Sequence, residues 1–219
     1  MPSPLIIHPD TVALMPPAYM GSIDYYATLA SHATAVIDRS WRYNKRMKST
    51  HRCDIVDTHG HMQLTVPVEK PFRGTPPSWN DIKVSTHGLW WNVHRVALES
   101  AYGRTPFFEY YIDRFLPFFQ ADRYDNCLLM DLDCEIDAVV RDILGIDTEV
   151  KYDLQDTDII ADYRTMEWNT EVVPYYQIRQ AQHNFVPHLT ILDLIFNMGP
   201  ESPFILKKMM KYLTVSKHA

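Results

Sequence analysis

The sequence predicts an α/β fold: a single domain with a mostly parallel sheet begun by an N-terminal βαβ unit, a β-hairpin insertion and a helical second half. Three observations predict it. Residues 11–38 read strand, helix, strand within thirty positions; residues 52–69 alternate around a short turn; and long stretches after residue 89 recur at helical spacing. With 219 residues, 46% of them hydrophobic and 22% charged, the chain has the composition of a soluble globular protein and enough length to bury a core, so 1–219 reads as one domain.

The elements follow in order. "TVALMP" (11–16) is a short apolar run stopped by Pro16-Pro17, because two prolines cannot donate to a sheet ladder. Ser22 is a good helix N-cap, and Ile23, Tyr26, Ala27, Leu29 and Ala30 recur at helical spacing after it. "TAVID" (34–38) is a second strand too short for a helix, so the unit is a right-handed βαβ with two adjacent parallel strands. "RCDIVDTHGHMQLTVPVE" reads as a hairpin turning at Gly60, and "DIKVST" (81–86) as its third strand. Residues 72–80 are a Pro- and Gly-containing loop.

A helix is expected from Leu89 to about Tyr102, broken by Gly103 and Pro106, with Glu99 and Arg104 placed to pair. "PFFEYYIDRFLPFF" reads as a second, aromatic helix. "CLLMDLDCEIDAVVRDILG" is a third, with Leu128, Leu132, Ile136, Val139 and Ile143 on one face and Gly145 as its C-cap. "TEVKYD" (148–153) is a strand, and the last two apolar stretches are helical or strand–helix elements.

Charge and composition exclude several function classes. The net charge of −6 gives no general attraction to nucleic acid. The longest apolar runs fall well short of the ~20 residues of a membrane helix, so no membrane span is expected. "MPSPLIIHPD" lacks the basic and apolar regions of a secretory signal. Cys53, Cys127 and Cys134, odd in number and without a CxxC, read as reduced thiols, and the expected location is cytoplasmic.

The charge is unevenly spread. Residues 39–52 carry Arg39, Arg42, Lys45, Arg46, Lys48 and Arg52 without an acid, whereas residues 122–171 hold 15 acids against 4 bases. Six like charges on one loop call for an anion or for the protein's own acidic face to offset them.

"PPAYMGSIDYYATL", "LTVPV" (64–68), "ESAYGRTPFFEYY" (99–111) and "LDLIFNMGPES" (192–202), in this order and spacing, resemble the WbqC-like protein family over essentially the whole chain. The family takes its name from bacterial surface-polysaccharide gene clusters. The resemblance therefore implies a bacterial cytoplasmic protein in sugar or envelope biosynthesis, and it supplies no catalytic residue list. His51 stands before Arg52 where the family pattern has Asn-Arg.

The chemistry must then come from the residues. Neither GxGxxG nor GxxxxGK[ST] occurs, and the chain has only seven glycines, so no glycine-rich phosphate cradle, and no particular cofactor, is implied. No GxSxG elbow supports a hydrolase. Ten histidines do not cluster at metal-ligand spacing, and no metal site is expected. His94, four residues after Trp90, reads as a core or interface residue. "DLD" (131–133) lies on the helix whose solvent face carries Asp131, Glu135 and Asp142, whereas "DTD" (156–158) lies in a loop where a cation site stays open.

What remains is a coincidence of position. In a parallel βαβ unit, the loop after the first strand and the basic stretch after the second both start at the carboxyl edge of the sheet, where α/β proteins bind ligands. An anionic small molecule (phosphate, nucleotide or carboxylate) is expected in a cleft bordered by Tyr19, Ser22, Asp38, Tyr43, Lys45, Arg46 and Arg52. Tyr19 would stack on the ligand, and Ser22 with the free N–H groups of its helix would hold phosphate. The cations would neutralise it, and Asp38, the one acid there, would act as base. Three functions fit: a group transferase acting on a phosphate-bearing or nucleotide-linked sugar, an adenylate-transfer-type nucleotide-binding enzyme, or a non-catalytic scaffold whose aromatic helical half binds a protein partner. The adenylate-transfer reading meets a departure, since the two-histidine motif of pantothenate-synthetase-like proteins is absent after Pro17.

Overall fold

Pro16-Pro17 ends the first strand where the sequence places the stop, and the chain then enters its first helix through a polar cap. In the computed structural model, which describes residues 11–44, 46–69, 77–155, 160–165, 167–168, 173–210 and 215–216, β1 is Val12–Met15, α1 is Ile23–Ala30 and β2 is Thr34–Ile37. The Ser22 hydroxyl accepts from the Tyr25 N–H at 3.2 Å and so closes the first turn of α1. β1 and β2 pair in parallel, with Ala13 opposite Ala35 and Met15 opposite Ile37.

The hairpin consists of β3 (Arg52–Asp57) and β4 (Gly60–Thr65), joined at Asp57 opposite Gly60. Gly60 has φ +114°, a backbone region open to glycine. The expected third strand at 81–86 is not regular. Its backbone makes isolated bridges instead, Val84 to Val68 and Lys83 to Leu128. Pro67 follows β4 directly and has no N–H to extend a ladder.

After the hairpin come α2 (Trp90–Tyr102), α3 (Phe108–Tyr111) and α4 (Leu129–Leu144). The aromatic stretch is not one helix. α3 is a single turn, followed by 3₁₀ turns at Ile112–Arg114 and Leu116–Phe119. A 3₁₀ turn stacks residues i and i+3 on one side, which lets Phe115 and Phe118 both enter the core, and Pro117 removes a donor that a longer helix would need. Glu99 pairs with Arg95, one turn earlier on α2, and not with Arg104.

α4 ends at Gly145 with φ +62°, the left-handed C-cap the sequence indicates. Its outward acids each take an arginine: Asp131 with Arg39 at 3.2 Å, Asp142 with Arg114 at 2.8 Å, and Glu135 with Arg123. The buried face is wider than the expected stripe. It takes in Leu129, Val140 and Leu144, leaves Val139 and Ile143 half-buried, and includes Asp133 and Asp137. Asp137 is held by Arg141 at 2.7 Å, whereas neither carboxylate oxygen of Asp133 has a partner, and burial pushes its carboxyl well above the usual range.

The remaining elements are β5 (Glu149–Lys151), β6 (Ile160–Asp162), β7 (Glu167–Trp168), α5 (Gln180–His183), α6 (Ile191–Met198), α7 (Ser202–Met209) and β8 (Val215–Ser216). β5, β2, β1 and β6 form one all-parallel sheet in that order. The chain steps outward from β1 through β2 to β5 and then returns to the far side of β1, so the strand order reverses between β1 and β6. The two C-terminal apolar stretches are both helices. One buried cluster runs from Ala13 to Met209 and joins sheet, hairpin and helices. The "DTD" loop lies outside the described residues.

Candidate functional site

The loop from β1 to α1 is held in place by its neighbours. A Cβ on Gly21 would stand 2.9 Å from the Tyr25 ring, so only glycine lets the loop pass that close to α1. The Tyr19 N–H donates to the Ser49 carbonyl at 3.0 Å, which ties the loop to the basic stretch. On its other side the segment 188–191 is laced to it. Ile23 N–H donates to Leu189 O at 3.0 Å, Ile191 N–H to Gly21 O at 2.9 Å, and the Thr190 hydroxyl to Met20 O at 2.7 Å. Thr190 N–H donates to Asp54 O at 2.9 Å, so the same segment also grips β3.

These pieces enclose a cleft of about 450 Å³ between the proline loop, the first turn of α1, the start of the hairpin and His188 to Thr190. That volume is in the ~300–1,000 Å³ range of small-molecule sites.

Ser22 and Arg52 line this cleft, whereas Tyr19, Asp38, Tyr43 and Arg46 lie elsewhere. Tyr19 is 1% exposed and belongs to the core. His94 Nε2 faces the Thr65 carbonyl at 3.2 Å, which can only accept, so Nε2 carries the proton and Nδ1 accepts from the Tyr19 hydroxyl at 2.8 Å. Asp38 accepts from the N–H and hydroxyl of Ser40, at 2.9 and 2.7 Å, and stands 3.6 Å from Arg164, whose guanidinium lies over Trp41. Tyr43 packs edge-on against Trp79, and Arg46 is exposed away from the cleft lining. Lys45 lies outside the described residues.

The helix N-terminus is also less open than expected. Of its first N–H groups, that of Ile23 goes to Leu189 and that of Tyr25 to Ser22, and Asp24 puts a carboxylate in the same turn. The basic stretch divides its labour: Arg39 pairs with the acidic α4, while Lys48 and Arg52 face the cleft.

Lys48, Asp24, Asp54, His188 and Thr190 are among the lining residues that sequence reasoning did not place in the site. Among the described residues neither Lys48 nor Arg52 forms an ion pair. Arg52 donates to the neutral Gln63 amide at 2.9 Å, and its Nε is buried without a partner. Asp54 is engaged by Gln63 Nε2 at 3.1 Å and lies 3.2 Å from His61. Asp24 is fully buried, with Oδ2 at 2.9 Å from His188 Nδ1 and Oδ1 unpartnered. The hydrogen bond that His188 donates to Asp24 raises the pKa of its ring against a smaller opposing effect of burial. Both acids in the cleft thus have a partner at hand, and its two uncommitted charges are positive.

The model of the WbqC-like protein family matches residues 17–162, about two thirds of the chain. The match includes the loop, the basic stretch and every expected site residue, but stops short of His188 and Thr190. No curated protein and no solved structure matches the chain.

Proposed function

We propose that this chain, which belongs to the WbqC-like protein family, binds an anionic small molecule in the cleft beside the proline loop and acts there as a group transferase. One observation carries the reading: Lys48 and Arg52, both without an ion pair among the described residues, face a cleft of ligand size. A phosphate or carboxylate is the chemistry that a guanidinium fork and an ammonium would take. A phosphate-bearing or nucleotide-linked sugar as donor, and a cytoplasmic place in bacterial surface-polysaccharide or envelope biosynthesis, are supported by the family resemblance alone. No described helix is long and apolar enough to cross a membrane.

The test is thermal stability in the presence of inorganic phosphate, nucleotides, sugar nucleotides and coenzyme A. Saturation at 100 times Kd adds ~2.7 kcal/mol, which in a chain of this size raises Tm by about 5 °C or more. One ligand class is expected to do so, and Lys48→Ala combined with Arg52→Ala is expected to abolish the shift while leaving the unliganded Tm within a few degrees. Silence across the panel overturns the proposal.

A second reading has its own observation. Leu89, Val93 and Val96 are 62%, 56% and 47% exposed at helical spacing on the start of α2, an apolar stripe that a protein partner would cover. A silent ligand panel would turn attention to that face.

A further inference from the structure

The cleft holds a pair of groups that anion binding does not require. Asp24 is completely buried in the first turn of α1, yet only one of its oxygens is used, by His188. A carboxylate only accepts, so His188 Nδ1 must carry a proton, and Nε2 of the neutral ring is left with a free lone pair. The His188 side chain is 42% exposed and lines the cleft, and among the described residues nothing hydrogen-bonds Nε2. The backbone places the ring in a defined way: His188 has φ +60°, in the left-handed region that few residues other than glycine adopt but that histidine tolerates better than most, and Pro187 precedes it. The Thr190 and Leu189 hydrogen bonds to the proline loop and β3 fix that segment over Asp24.

We infer that His188 is the proton acceptor of the cleft, oriented by Asp24, and that it activates a hydroxyl or amine acceptor for attack on the donor held by Lys48 and Arg52. The inference rests on the anion-binding reading above. In the step, the acceptor O–H or N–H bond breaks and its proton passes to His188 Nε2. The electron pair left behind forms the bond to the transferred group, and the bond from that group to a phosphate oxygen breaks. The phosphate leaves with the electron pair of that broken bond, its charge offset by Arg52 and Lys48, and the imidazolium, stabilised by Asp24, returns its proton to solvent. The other charged groups around the ring are Lys48, Arg52 and Asp54 on the facing walls, and Asp24 beneath it. Asp38, the base expected from sequence, is instead held by Ser40 and Arg164 and lies outside this cleft.

Diethyl pyrocarbonate, which modifies neutral imidazole, tests the assignment without knowledge of the substrate. Labelling of the intact protein is followed by peptide mass spectrometry as pH is raised from acid to neutral. His188 is expected to react several-fold faster than the exposed His59 and His87 once its ring is neutral, with a pH midpoint above the ordinary imidazole value of about 6.5. Asp24→Asn is expected to bring its rate down to theirs and its midpoint down to the ordinary imidazole value, and saturating inorganic phosphate to slow labelling of His188 in the wild type but not in the Lys48→Ala/Arg52→Ala variant. The wild-type comparison stands even if Asp24→Asn does not fold. A His188 that reacts no faster than His59 and His87, yet is protected by phosphate, overturns the dyad alone. A fast His188 that phosphate does not protect overturns the anion cleft and, with it, the transfer role.

Discussion

Protonating His94 would break the core where α2 meets the hairpin. The ring is 2% exposed, its Nδ1 accepts from Tyr19 and its Nε2 donates to Thr65, and burial lowers its pKa from an ordinary 6.5 to about 4. In the unfolded chain the ring takes a proton first on acidification. Its contribution to stability is therefore complete above about pH 6.5 and is lost as pH falls toward 4, amounting to roughly 3 kcal/mol. Denaturant titrations across that range are expected to show this slope in the wild type and a flatter one in His94→Gln. At this scale the sequence was legible where a residue does one local job: Ser22 caps α1, and Gly145 ends α4 in the left-handed region. It misled where a residue's partner is distant. Tyr19 looks like a loop residue facing ligand, but it sits in the core with its hydroxyl bonded to His94, 75 positions away.

Among the elements, the junction of α3 with α6 is close enough to require a glycine. Gly199 ends α6 with φ +51°, and a Cβ there would stand 2.4 Å from the Phe107 ring, whose own N–H donates to Phe196 O at 3.1 Å. Gly199→Ala has to find room against the ring and accept a strained backbone, and it is expected to lose about 2–4 kcal/mol, read as a lowered denaturation midpoint with little change in m. The expected helix over "PFFEYYIDRFLPFF" fails at the same scale. Aromatic spacing allows either period, and the packing of Phe115 and Phe118 under α2 and α6 selects the 3₁₀ turns.

The matched stretch, 17–162, starts after β1 and ends with β6, so the family segment contains β2, β5 and β6 of the sheet but neither β1 nor α6 nor α7. Ile191, Leu192, Leu194, Ile195 and Phe196 of α6 are each 0% exposed. Burying five such side chains contributes roughly 7–15 kcal/mol, as much as the whole net stability of a typical domain, ~5–15 kcal/mol. A chain cut after Asp162 is expected to lose its near-ultraviolet circular dichroism and to bind a hydrophobic dye; a cooperative thermal transition in that fragment would contradict this. The same cut removes His188, so the cleft and the core are completed by one C-terminal segment.

The sequence by itself determined the βαβ start, the hairpin at Gly60 and the caps at Ser22 and Gly145. Each of these depends on residues within a few positions of one another, whose periodicity, caps and turn preferences act locally. Only the tertiary structure decided which side chains meet in that cleft. Lys48 and Arg52 were separated from Arg39 by the pull of Asp131, Asp38 was taken by Arg164, and His188 was brought to Asp24 across 164 positions. Contacts that close such long loops leave no periodic trace in a single chain, because the pairing is set by hydrogen bonds of a folded backbone and not by the spacing of the residues.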